Sequence, residues 1–219
     1  MAGPNLTTHL PITVAQTSTN TTEATQAYPE LSGQTFPFGA ICQLTSAGYN
    51  QVWDGTTVTR GIVGVSLQPG FNLGSSAAGA PPTFGSVGAP GTPTTYGTVP
   101  NQPSAVNIPA GATFSDGRSN IAQAVQTTIF RGQVDNSTGT VAADWTPTIA
   151  NVGKQYGATL SSGDGSWYID LGKSTVGTNT VVIIDALDPE TLAPGSVTSG
   201  IANGNVYFRF LNAASQVQN

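Results

Sequence analysis

One cysteine, one histidine, one methionine and six lysines and arginines are spread over 219 residues, and only 8% of the chain is charged. Each scarcity closes a class of architecture or chemistry. The lone Cys42 cannot form an intramolecular disulfide, and one Cys with one His falls short of the four ligands of a structural zinc site. Packing, backbone hydrogen bonds or neighbouring subunits must hold the fold. Soluble domains are usually about 25% charged. With eleven acidic residues and a net charge of −5, this chain has no basic cluster for phosphate backbones or anionic bilayers, so neither nucleic acid nor membrane is an expected partner. The start, Met1 to His9, has no basic region or apolar run of signal-peptide length, and no stretch reaches about 18 apolar residues, so neither a cleavable signal nor a membrane span is expected. Catalysis by a Ser–His or Cys–His pair needs a base, and the sole imidazole, His9, lies in a polar terminal stretch and reads as an exposed polar residue. No enzyme and no cofactor are expected.

What is abundant is Gly (27) and Pro (15), with polarity carried by Thr, Ser, Asn and Gln. Residues 1–30 hold one apolar alternation, Leu10, Ile12 and Val14, and end at Tyr28-Pro29; such a segment buries too little to order itself and reads as an extended arm laid on something else. Residues 31–126 read as an N-terminal β domain. Its strands lie at Phe38–Leu44, Gln51–Trp53 and Arg60–Leu67, with a turn at Ser46–Tyr49 and a hairpin signal at Asp54-Gly55. Its loop 74–111 holds much of the proline, which excludes central strands and helix interiors there. Residues 118–126, with Ser119 or Asn120 as N-cap and Ile121 and Val125 four apart, form the one candidate helix. Residues 127–219 read as a C-terminal β-barrel, with strands at 127–134, 155–160, 165–171, 180–185 and 204–211. In the last, Val206, Phe208 and Phe210 face inward and Tyr207 and Arg209 outward. The fold class is all-β: two small antiparallel barrels or sandwiches in tandem, with an arm and a long Pro/Gly-rich loop.

The chemical candidates are few. Asp164, Asp170, Asp185 and Asp188 are close enough in sequence to raise a glycosidase pair, but each sits at a turn or strand end where Asp is ordinary. Asp164 and its neighbours do not match the spacing of a calcium loop, and Gly163-Asp-Gly165 lacks the Lys-Ser/Thr of a phosphate loop. Trp53, Trp145 and Trp167, with Tyr49 and Tyr168, suit either sugar stacking or a core; alternation favours the core. Cys42 reads as a small buried hydrophobe. The sequons at Asn5, Asn20 and Asn136 are what a Thr-rich chain yields by chance.

The runs Val152–Thr159, Gly165–Asp170, Asn179–Ile184 and Asn205–Leu211 resemble the C-terminal β-barrel of capsid decoration (cement) proteins of tailed bacteriophages, and Gly48–Gly55 with Gly61–Val65 is similar to their first barrel. The resemblance implies a non-enzymatic virion protein, made in the host cytoplasm, that binds the major capsid protein on the outer surface of the head as a homotrimer at local threefold positions and stabilises the shell. It also implies an N-terminal arm reaching between capsid subunits, for which Leu10, Ile12, Val14 and Tyr28 are the candidate contacts, adding a strand to a capsid sheet edge. The alternative from a different class is a head-fibre or adhesin-like module that binds host-surface glycans through exposed aromatics.

Overall fold

A computed structural model describes residues 9–17, 25–29, 31, 36–46, 48–59, 61–68, 94–95, 107–108, 118–162, 165–174 and 180–217. It is all-β. The strands are β1 (Thr13–Thr17), β2 (Thr25–Pro29), β3 (Ile41–Leu44), β4 (Asn50–Val52), β5 (Gly64–Ser66), β6 (Thr94–Thr95), β7 (Asn107–Ile108), β8 (Arg118–Gln123), β9 (Thr128–Asp135), β10 (Gln155–Leu160), β11 (Trp167–Asp170), β12 (Val182–Leu187) and β13 (Asn205–Phe210). Single 3₁₀ turns at Ala142–Trp145, Ile149–Asn151 and Pro189–Thr191 are the only helical geometry among the described residues. No helix there is long and apolar enough to cross a membrane.

The C-terminal strands close into a five-stranded barrel. The ring runs β9-β11-β10-β12-β13 and returns to β9; all neighbours are antiparallel except β9 and β11, which run parallel. Its interior follows from the period of two along β13. Val206, Phe208 and Phe210 are buried while Tyr207 and Arg209 alternate outward, and Phe130, Phe208 and Phe210 pack ring on ring with centroids 5.2 to 5.8 Å apart. A bulge places Asp185 as the extra residue of β12 between Ile184 and Ala186, and its carboxylate accepts two hydrogen bonds from Arg209 at 2.8 and 2.9 Å.

The N-terminal sheet has the order β2-β8-β5-β3-β4, and the Leu31 amide donating to the Asn50 carbonyl at 2.8 Å curls the β2 end round toward β4. Two expectations are corrected here. Residues 118–123 form the central strand β8, not a helix: β2 and β5 satisfy its two edges, and about two turns of isolated helix cannot outcompete two full ladders. Asp54-Gly55 does not join paired strands, because β4 pairs with β3 through the turn Thr45–Tyr49, and β3 separates it from β5. The Asp54 carboxylate instead accepts from the Thr56 and Thr57 amides at 2.8 and 2.7 Å, capping a wide loop. Of the loop 74–111, only β6 and β7 fall within the described residues, and they pair antiparallel.

The two sheets share one continuous core. Trp53 lies 5.2 Å from Trp167 across the junction, and the hydrophobic cluster runs from Phe36 and Ile41 to Phe208 and Phe210 without a break. The C-terminal tail fastens the same seam: the Ile62 amide donates to the Ala214 carbonyl, the Gln216 amide donates to the Ile62 carbonyl, and the Gln216 side chain both accepts from the Leu44 amide and donates to the Leu44 carbonyl.

Candidate functional site

The terminal segment expected to leave the molecule is bound to it. β1 pairs with β9, with Thr13 opposite Arg131, Val14 opposite Phe130 and Thr17 opposite Thr128, while β2 pairs with β8 in the other sheet. β1 lies on the edge of β9 that β11 occupies farther along. The arm is extended, as its composition implies, but residues 9–17 and 25–29 rest on this chain's own sheets. Of the four nominated contact residues, Ile12 is fully buried in the shared core, Val14 is half-buried against it, and Tyr28 is half-buried with its hydroxyl accepting from Gln123 Nε2 at 2.9 Å. Leu10 alone stays open, at 55% exposure.

Sequence reading missed the groove that takes this segment. Ile12 sits between the two sheets. A β-carbon on Gly39 would meet Pro11 and Ile12 within 2.8 Å, and one on Gly132 would stand 2.9 Å from Phe208 and 3.4 Å from Ile12. Gly132 interrupts an alternating strand, and a strand glycine marks close approach of another backbone; that was the legible signal. Nothing in the sequence pointed to His9, which is buried, not exposed. Its Nε2 lies 3.0 Å from Asp135 Oδ2, and its ring stacks on Tyr168 at 4.6 Å and 16°. Gln133 Oε1 accepts from the Leu10 amide at 2.9 Å.

Asp135 and Asp170 stand side by side in the parallel pair β9–β11, both buried. Each is satisfied by the fold: Asp135 accepts from the Asn136 amide at 2.7 Å, and Asp170 accepts from Ser137 N, Gly172 N and the Thr159 hydroxyl at 2.6 to 3.1 Å. Burial, and then the charges of Asp170 and Asp135, push the Tyr168 phenol up to about 12. This cluster fastens strands and loops. The other sequence-nominated carboxylates are likewise engaged, Asp185 by Arg209 and the buried Asp188 by Arg131 Nε at 2.7 Å and the Glu190 amide at 3.1 Å, whereas Asp164 lies outside the described residues. Among the described residues no group of three or more His, Cys, Asp or Glu side chains is placed to hold a metal ion.

Trp53, Trp145 and Trp167 are all buried, as is Cys42, so none of the three indoles offers a face for sugar stacking. The open apolar side chains lie elsewhere. Ile149 (55% exposed) and Val197 (83%) project from two loops joined by the Ile149 amide donating to the Thr198 carbonyl at 2.7 Å, and Ile201 (47%) follows on the second loop. A bridge between Thr148 and Ser199 and the Gly200 amide donating to Pro147 at 2.8 Å fix these loops to each other. Comparison with family models, with curated proteins and with solved structures returns no match for this chain.

Proposed function

We propose that this protein is a structural component of a tailed-phage virion that binds the outer surface of the capsid as a trimer at local threefold positions and stabilises the shell without catalysis. One observation carries the reading. The C-terminal runs that resemble decoration proteins contribute β10, β11, β12 and β13 of a single closed barrel, and braced loops attached to that barrel present Ile149, Val197 and Ile201 to solvent. Short aliphatic side chains on braced loops lose little freedom on contact, and a weak patch repeated over many copies on a symmetric lattice gains affinity by multivalency. The sparse charge supports the same reading, because burying uncharged polar groups that find hydrogen-bond partners costs far less than burying charges. The contact surface lies on these loops; Ile12, enclosed in the core, serves the fold.

The test is co-sedimentation of the purified protein with expanded heads that lack it. Saturable binding at a fixed ratio per hexamer, with heads more resistant to heat, is expected. Val197→Asp with Ile149→Asp should abolish co-sedimentation while leaving the melting temperature within about 2 °C, since both side chains are exposed. Undiminished binding by that double variant moves the contact away from these loops, and absence of binding by the folded wild-type chain refutes the capsid reading.

A further inference from the structure

The seat of the N-terminal segment is shaped for one particular sequence. It offers two pockets three residues apart along the segment. In the first, Asp135, itself 1% exposed, presents Oδ2 to His9 Nε2 at 3.0 Å while Tyr168 lies parallel to the imidazole at 4.6 Å. In the second, Ile12 is enclosed between Gly39, in the turn that leads into β3, and Gly132 of β9, where neither position has room for a β-carbon. Between them Gln133 accepts from the Leu10 amide, and beyond them β9 continues the match as a backbone ladder. An extended segment reading His-x-x-Ile followed by a strand satisfies every part of this groove, and the chain carries that sequence once, at His9–Ile12.

We infer that the groove also accepts this segment from a second copy of the chain, so that adjacent copies exchange their N-terminal strands. The Asp135 partner of His9, the Gln133 partner of Leu10 and the β9 partners of β1 all lie more than a hundred positions away, so this side of the seat is formed without help from the segment's sequence neighbours. The same interface forms whichever copy supplies the strand, and exchange changes only the copy from which residues 9–17 come. That connection of seven residues holds a copy's own strand at an effective concentration on the order of mM, so self-docking dominates in dilute solution and exchange competes once copies stand beside one another at a comparable local concentration. The inference does not rest on capsid binding, and its test uses the free protein.

Thr17 and Thr128 are register partners in the β1–β9 pair; Thr128 is buried and its hydroxyl makes no hydrogen bond, so Thr128→Cys is a near-isosteric change. Two full-length chains carrying Cys42→Ala, one with Thr17→Cys and one with Thr128→Cys, are mixed reduced at about 1 mM, incubated and then oxidised, with the linkage read by peptide mass spectrometry. Neither chain can close this disulfide within itself. A 17–128 heterodimer at least about tenfold above both the same mixture at about 1 µM and a Thr17→Cys chain that also carries Ile12→Asp is expected. A yield no higher than the Ile12→Asp control overturns the inference. Should Thr128→Cys fail to fold, Gln16→Cys with Ile129→Cys places the same question at the adjacent register pair, and the same two outcomes decide it.

Discussion

Gly39→Ala tests how the terminal segment binds the two sheets together. Gly39 adopts φ +81°, a left-handed conformation that costs a residue with a β-carbon about 1 kcal/mol or more. The added methyl would also stand 2.7 Å from Pro11 Cβ, 2.7 Å from the Ile12 nitrogen and 2.8 Å from the Ile12 carbonyl oxygen. Two of those three atoms are backbone and cannot swing aside, so the segment or the Gly39 turn must move, at about 1–3 kcal/mol for overpacking. The sum is roughly 3 kcal/mol. Gly48 supplies the control: its φ is +84°, yet a β-carbon there meets nothing within 4 Å, so Gly48→Ala carries only the conformational cost of about 1 kcal/mol. At about 2–4 °C per kcal/mol for a chain of this size, calorimetry should show melting lowered by about 9 °C for Gly39→Ala and about 3 °C for Gly48→Ala. Hydrogen exchange should accelerate along β1 and β9 in the first variant and only around the β3–β4 turn in the second. Equal shifts in the two variants would refute the reasoning, because they would mean that the Pro11–Ile12 contact contributes nothing.

Three further outcomes follow from the geometry. Because the folded-state Tyr168 phenol is held near 12, above its ordinary 10, the folded chain keeps a proton that the unfolded chain releases; this group's contribution to stability is therefore fully present below about pH 10 and is lost as pH rises toward 12, by about 2 kcal/mol after discounting for solvent screening, and Tyr168→Phe should flatten that limb in alkaline urea titrations. Arg131→Met leaves Asp188 fully buried with only Glu190 N and the Tyr207 hydroxyl as partners and should cost about 2–3 kcal/mol by chemical denaturation, whereas Arg209→Met, at a pair that water reaches on both sides, should cost less than about 1. Gln216→Ala removes both hydrogen bonds to Leu44 and should cost about 1–2 kcal/mol, with exchange increased at β3 and in the tail, while Gln216→Glu retains only the acceptor and should recover part of the loss.

The C-terminal half was legible because its strands obey local rules. The alternation through Val206, Phe208 and Phe210, the four-residue apolar run at Val181–Ile184 and the turn at Ala202–Gly204, where Asn203 takes φ +55°, carry their own instructions. The N-terminal half was legible only in kind. At 118–126, an N-cap candidate and the Ile121/Val125 spacing gave a helical local pattern that two flanking ladders overrode, and at Asp54-Gly55 the turn chemistry was read correctly but the strands it was expected to join are separated by β3. Local propensity cannot say which strand is a neighbour.

His9 shows the same limit at a single residue. In a polar, Thr-rich stretch an imidazole has no local reason to be buried, and it is buried because β9, 126 positions away, sets Asp135 beside it and β11 sets Tyr168 against its face. The apolar content of the stretch is equally misleading: Ile12 contributes about 2–3 kcal/mol on burial, too little to order nine residues alone, but the His9–Asp135 contact, the Leu10–Gln133 hydrogen bond and the β1–β9 ladder add to it. These contacts together offset the ordering cost, and the same set can be made by a strand from its own chain or from a neighbour's. An arm without structure by composition thus becomes the element that closes the seam between two sheets, and its distance in sequence from β9 and β11 is what frees it to do the same between two molecules.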